Sequence, residues 1–189
     1  FGAQVDNQKV GMLAKITATS FFPAKPLGCY GDGGAIFTDS DSLDEIFRSI
    51  RAHGKGSEKY DIVRIGLNAR LDTLQAAILL EKLAIFDDEL AARRAVARKY
   101  DEVFLENEIP IPPRPKNSLS AWAQYTISIA NREVVQSALI EKGVPTAIYY
   151  PLPMHKQTAY RKYLSPEIPL SNSENLSATV LSLPMHPYL

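Results

Sequence analysis

Hydrophobic positions along this chain follow two periodicities, and the stretches that obey neither are where chemistry can sit. Short runs rich in β-branched and aromatic residues, 13–22 and 35–38, predict two strands flanking a glycine-rich stretch from Gly28 to Gly34. From Asp41 to His53, Leu43, Ile46, Phe47 and Ile50 recur at helical spacing ahead of Gly54, which predicts an amphipathic helix. After a polar, glycine-interrupted segment, Asp72-Thr-Leu-Gln75 reads as a helix cap with a glutamine three residues on. It opens a stretch to about Leu105 without proline or glycine, so one long helix, or two joined by a bend, is expected. Its first half is apolar around much of its circumference (Leu74, Ala77, Ile78, Leu80, Leu83, Ile85), which predicts packing against a sheet or a subunit.

Pro110, Pro112, Pro113 and Pro115 form the sharpest break and predict a boundary dividing residues 1–106 from 107–189. Beyond it, a strand over 125–130, a helix over 132–142 stopped by Gly143, a strand over 146–150 and a helix over 174–181 describe a small α/β unit.

Composition narrows the classes. The chain has 189 residues, 46% of them hydrophobic, enough for a folded core. Its 21 basic and 21 acidic side chains cancel, so no global field draws it to nucleic acid or an acidic membrane. The apolar stretches fall short of a membrane span. One cysteine, Cys29, cannot pair within the chain and has no Cys/His cluster around it, so no metal site is expected, and the cytoplasm is the expected compartment. The thiol itself reads as a buried structural one.

The stretch Ser20-Phe-Phe-Pro-Ala-Lys25-Pro-Leu-Gly28-Cys-Tyr-Gly31-Asp-Gly33-Gly34 sets one lysine between an apolar run and a loop too glycine-rich for a helix. A lysine taken off a solvated helix surface becomes a candidate Schiff-base nucleophile or proton shuttle. The glycines match neither a dinucleotide fingerprint, since position 36 is Ile36, nor a Walker loop. Ser20 still offers a hydroxyl to a phosphate five residues before Lys25, and a phosphate-binding hydroxyl beside a Schiff-base lysine is what pyridoxal phosphate requires.

Four blocks in order extend the pattern: Ser20 to Gly34, Gly66-Leu-Asn68-Ala-Arg70-Leu-Asp-Thr-Leu-Gln75, Ala123-Gln-Tyr125-Thr, and Pro145-Thr-Ala-Ile-Tyr149-Tyr150-Pro-Leu-Pro. In these the chain resembles the DegT-type nucleotide-sugar aminotransferases over nearly its whole length. The resemblance implies an α/β fold of the aspartate aminotransferase kind, PLP fold type I. Residues 1–106 would be the C-terminal part of the cofactor-binding large domain and 107–189 a small C-terminal domain, with the N-terminal half of the large domain lying outside a fragment trimmed at both ends. It implies pyridoxal 5'-phosphate, cycling through pyridoxamine phosphate, as cofactor. Lys25 would form the internal aldimine and relay protons, Ser20 would bind the phosphate, and Asn68 would reach a neighbouring subunit's cofactor, so that a homodimer shares its active sites and an isolated fragment is inactive. Arg70, Tyr149 and Tyr150 would contact substrate. Without the resemblance, Arg70 reads as a surface ion pair and the tyrosines as packing.

The implied reaction is transamination of a UDP-linked keto sugar, with 3-keto N-acetylglucosaminuronate as expected acceptor and L-glutamate as donor, in surface polysaccharide biosynthesis. A 4-keto acceptor, or a non-catalytic nucleotide-sugar binding or regulatory module, stands as the alternative, while a dehydratase relative with histidine in place of the lysine is disfavoured by Lys25. His53 ends a helix, and His155 and His186 lie in proline-flanked loops without an evident carboxylate or serine partner, which argues against a hydrolase triad.

Overall fold

Asp6 and Asn7 turn the chain back on itself almost at once. Both take positive φ (48° and 62°), as a two-residue type I′ turn requires, so Gln4–Val5 (β1) pairs antiparallel with Gln8–Lys9 (β2). A computed structural model describes residues 1–163 and 168–189, which gather into two compact units, residues 1–91 with 114–121 and residues 92–113 with 122–189.

In the first unit a 3-10 turn, Val10–Met12, leads into Thr17–Ser20 (β3), paired antiparallel with Gly34–Phe37 (β4) in the register Thr17↔Phe37 to Ser20↔Gly34. The strand expected from residue 13 is confined to 17–20, because β4 offers only four partners. Asp41–Arg51 (α1) follows, with Asp41 and Asp44 in its first turn and Arg48 and Arg51 in its last, each matching the helix dipole. It ends two residues before His53, which takes φ 67°. The expected long helix is two: Thr73–Ala84 (α2) and Phe86–Glu106 (α3), broken at Ile85. Phe21, Leu27, Cys29, Leu79, Phe86 and Leu90 form the core of this unit. Leu79 is buried on α2, but Leu74 and Leu80 are 78% and 68% exposed, so most of the apolar circumference of α2 has no cover within this chain. Ser118–Leu119 (β5) returns to pair with β1, and Asn117 Nδ2 donates to Asp6 Oδ1 at 3.0 Å.

The contacts divide the chain inside α3, at 91/92, and residues 114–121 return to the first unit. Neither division coincides with 106/107, because the prolines mark a connecting loop whose far end is recaptured by β1.

The second unit pairs Tyr125–Ser128 (β6) antiparallel with Val180–Leu183 (β7), and Arg132–Glu141 (α4) ends ahead of Gly143 at φ 74°. The expected helix over 174–181 lies instead over Ser171–Thr179 (α5), and its last residues enter β7. The expected strand over 146–150 is a single bridge, Ala147↔Ser182, since β7 is only four residues long. Tyr125 is fully buried, stacks with Trp122 at a centroid distance of 5.4 Å, meets Tyr100 in a tilted pair at 4.8 Å, and donates its hydroxyl to Asp101 Oδ1 at 2.8 Å. Truncating it to alanine removes an aromatic ring from the centre of the core, so Tyr125→Ala is expected to lower stability by about 3–5 kcal/mol in denaturant titration. No helix among the described residues is long and apolar enough to cross a membrane.

Candidate functional site

Lys25 owes its place to a turn at the end of a strand. The β3–β4 ladder runs one bond past Ser20, through Phe21 N–H to Gly33 O at 2.8 Å, and the Phe21 ring then enters the core. Pro23 and Ala24 reverse the chain, and Lys25 N–H closes the turn on Phe22 O at 2.8 Å. Pro26, Leu27, Gly28 and Cys29 then pass beneath it, buried. A Cβ at Gly28 would stand 2.7 Å from the carbonyl oxygens of both Phe22 and Pro23, so only glycine lets the return strand lie so close. The result is an exposed lysine side chain on a stiff base. Among the described residues no hydrogen bond or ion pair engages its amine.

Cys29 is fully buried, with Sγ 3.0 Å from both Phe21 O and Gly31 O. The thiol is an internal tie of the loop. Ser20 is exposed at the mouth of the same turn, where its Oγ accepts from Phe22 N–H at 3.1 Å. That bond uses an oxygen lone pair and leaves the hydroxyl proton available to an anion.

Asn68 and Arg70 lie on a second segment of the same unit, laddered against the end of α1 through Leu67 N–H to Ile50 O (2.7 Å) and Ala69 N–H to Arg51 O (3.0 Å). Both are exposed. Arg70 Nη2 donates to Asn68 Oδ1 at 2.8 Å, and among the described residues Arg70 forms no ion pair. With its oxygen occupied by the guanidinium, the Asn68 amide presents its N–H donors outward, as an anion site needs.

Tyr149 and Tyr150 belong to the second unit. They are joined by a cis peptide, meet edge to face at 5.6 Å, and are 42% and 71% exposed, so neither is a packing residue here. His155 does have a carboxylate partner: its Nε2 lies 3.0 Å from Glu174 Oε1, while Lys156 Nζ meets Glu174 Oε2 at 2.8 Å. The sequence could not show this pair, because α5 brings Glu174 back across 19 residues. Lys156 first and His155 second hold the Glu174 carboxyl below its ordinary value.

Two residues without an assigned role touch the lysine loop. Gln75, read as a capping residue, leaves the cap of α2 unbonded and accepts from Tyr30 N–H at 2.8 Å; Lys82 Nζ donates to Gly28 O at 2.5 Å. A hollow of about 1200 Å³ on the first unit, lined by side chains such as Phe1, Ile36, Phe47, Leu83 and Phe86, includes none of Ser20, Lys25, Asn68 or Arg70. Its walls also carry charged side chains, among them Asp39, Asp44, Arg48, Arg51 and Asp87.

The donor set fits pyridoxal phosphate: on one turn, a primary amine with no partner among the described residues for the aldehyde and a hydroxyl proton for the phosphate, and on a second segment an outward amide that can donate to an anion.

The DegT/DnrJ/EryC1/StrS aminotransferase family matches residues 1–189. A UDP-2-acetamido-2-deoxy-3-oxo-D-glucuronate aminotransferase of Pseudomonas aeruginosa is 48% identical over 189 residues, covering all of this chain and 52% of the relative. A family aminotransferase from Brucella abortus superposes with a TM-score of 0.95 at 51% identity, covering all of this chain and 50% of the other. NtdA from Bacillus subtilis, determined with bound cofactor PMP, superposes with a TM-score of 0.81 at 30% identity over 95% of this chain and 43% of its own. The chain thus spans about half the length of the relatives it matches. Its mixed α/β architecture is the corresponding half of the PLP type I fold, and the chain belongs to the DegT/DnrJ/EryC1/StrS aminotransferase family.

Proposed function

We propose that the protein of which this chain forms about half transfers an amino group to a UDP-linked keto sugar, with 3-keto N-acetylglucosaminuronate as acceptor and L-glutamate as donor. The reaction belongs in the cytoplasm, as a step toward an amino sugar of a surface polysaccharide. The observation that carries this reading is Lys25, whose amine has no partner among the described residues, on a glycine-locked turn that follows Ser20, in a chain 48% identical to an aminotransferase of that sugar class.

The cofactor is pyridoxal 5'-phosphate, which when bound supplies the electron sink that lets an amine and a carbonyl be exchanged. Lys25 Nζ anchors it, takes a proton from the α carbon of the donor in the first half-reaction, and delivers one to the acceptor side in the second. Ser20 donates to the phosphate of its own subunit. Asn68, its amide oriented by Arg70, donates to that of a neighbour, so the working unit is a homodimer. The remaining guanidinium donors of Arg70 suit a carboxylate of glutamate or of the uronic acid. Tyr149 and Tyr150 offer amphipathic rings to the sugar or the uracil. The unit of residues 1–91 and 114–121 acts as the C-terminal part of the cofactor-binding domain and that of 92–113 and 122–189 as the small domain, in place of a division at 106/107.

The full-length protein with pyridoxal phosphate is expected to show a visible band that borohydride fixes onto Lys25, located by peptide mass spectrometry. With glutamate and a panel of UDP-linked 3-keto and 4-keto sugars, it is expected to aminate the 3-keto uronate fastest. Absence of the Lys25 adduct overturns the cofactor assignment; preference for a 4-keto sugar overturns the acceptor.

A further inference from the structure

Lys25 to Gly33 form neither helix nor strand, yet the loop is fastened at defined atoms. On the inner side Phe21 O accepts from Cys29 N–H at 2.8 Å. On the outer side α2 supplies two side chains seven residues apart, hence on one face of the helix. Gln75 Oε1 accepts from Tyr30 N–H at 2.8 Å, and Lys82 Nζ donates to Gly28 O at 2.5 Å while lying 5.4 Å over the Tyr30 ring. These contacts grip the chain three to five residues beyond Lys25. The intervening Pro26 has a fixed φ and Leu27 is buried, so little slack separates the grip from the lysine. A lysine side chain has several free torsions, and its amine can be held to a reacting atom only if its backbone is held first.

We propose that Gln75 and Lys82 are positioning residues for Lys25, setting from α2 the point from which its amine reaches the cofactor and substrate. The proposal rests on the function given above. Because α2 begins three residues after Arg70, one helix thereby ties the lysine loop to the segment that carries Asn68 and Arg70.

The test uses the full-length protein. In its cofactor-free form, hydrogen exchange at the Tyr30 amide is expected to quicken at least about tenfold in Gln75→Leu and to stay slow in Gln75→Glu, whose carboxylate still accepts the bond. With pyridoxal phosphate bound, Gln75→Leu and Lys82→Met are expected to move the pH midpoint of the visible band and to lower kcat by roughly 10- to 100-fold, with KM for the sugar nearly unchanged. Gln75→Glu is expected to restore both. Folded Gln75→Leu and Lys82→Met proteins with a wild-type pH midpoint and kcat overturn the proposal while the Lys25 adduct stands. Should Gln75→Leu not fold, Lys82→Met alone decides it on the same readouts. Absence of the adduct in the wild-type protein defeats the functional reading instead, and this proposal with it.

Discussion

Replacing Lys25 by alanine in the full-length protein is expected to abolish borohydride fixation of the cofactor and to slow amination of the keto sugar by at least about 10³-fold, since in the proposed function one side chain supplies both the covalent anchor and the proton relay. The fold is expected to be indifferent. Lys25 is exposed, its amine has no partner among the described residues, and the turn that presents it is closed by main-chain atoms and by Gly28. Truncation at such a surface position falls within about 0.5 kcal/mol of neutral. A small amine added to the Lys25→Ala protein is expected to recover part of the proton relay, which no global defect would allow. A folded variant that keeps wild-type turnover contradicts the assignment of Lys25, and one that unfolds contradicts the expectation that the fold is indifferent. The measurements are turnover with glutamate and a UDP-linked keto sugar, thermal denaturation, and mass spectrometry of the reduced protein.

The loop around Lys25 could be read from sequence as neither helix nor strand because its surroundings broke both local periodicities, whereas the chemistry given to Lys25 and Ser20 came from what an amine and a hydroxyl can do and is a proposal. The helices α1 and α4 were equally open to reading, since their apolar residues repeat at helical spacing. Other features depend on partners distant in the chain. Gln75 has two plausible bonds, one to its own cap and one to Tyr30, 45 residues away; only tertiary structure decides between them, and the distant one forms. Lys82 and Gly28 are 54 residues apart and carry no common motif. In β7, Leu181 and Leu183 alternate as a strand, but joined to Leu176 they also continue a helical spacing, and what resolves the ambiguity is pairing with β6. The strands β1, β2 and β5 are two residues each, too short for any periodicity, although Asp6-Asn7 was a turn signal in plain view. The proline tract follows the true end of helix α3, but the compact units are defined by where chains pair, and residues 114–121 pair with the first.

The segment that presents Asn68 and Arg70 depends on a crossing of two glycines, and Gly66→Ala is expected to dismantle it. Gly54 takes φ 76° just past α1, its N–H donating to Ser49 O at 2.8 Å and its carbonyl accepting from Val63 N–H at 2.9 Å. Gly66 lies against this backbone so closely that a Cβ there would collide with the Gly54 nitrogen and the His53 carbonyl carbon. Both obstacles are main chain, so no rotamer change relieves them. To admit a methyl group the 66–69 segment must lift from α1, giving up the bonds Leu67 N–H to Ile50 O, His53 N–H to Leu67 O and Ala69 N–H to Arg51 O. At about 1 kcal/mol net for each, the loss is about 3 kcal/mol, with overpacking strain adding to it wherever the segment does not lift freely. Gly11→Ala serves as control, because its Cβ would meet only the Phe37 ring at 3.5 Å, an ordinary contact. Chemical denaturation of the full-length protein should therefore separate the two variants by roughly 3 kcal/mol. The functional consequence follows from the same displacement. With Asn68 and Arg70 no longer held in register, affinity for pyridoxal phosphate is expected to fall at least about tenfold in Gly66→Ala, the equivalent of one charge-assisted hydrogen bond. Mixed dimers sharpen the test: if Asn68 serves a neighbour, a Gly66→Ala subunit paired with a Lys25→Ala subunit should retain one intact site, because the Lys25 that remains would face the damaged segment only if that segment came from its own subunit. On the dimer-shared reading the one intact lysine is served by the undamaged Asn68 of the Lys25→Ala partner, so half-site activity survives; if Asn68 serves its own subunit, activity is lost. Loss of all activity in the mixed dimer would therefore refute the shared site while leaving the role of Gly66 in stability untouched.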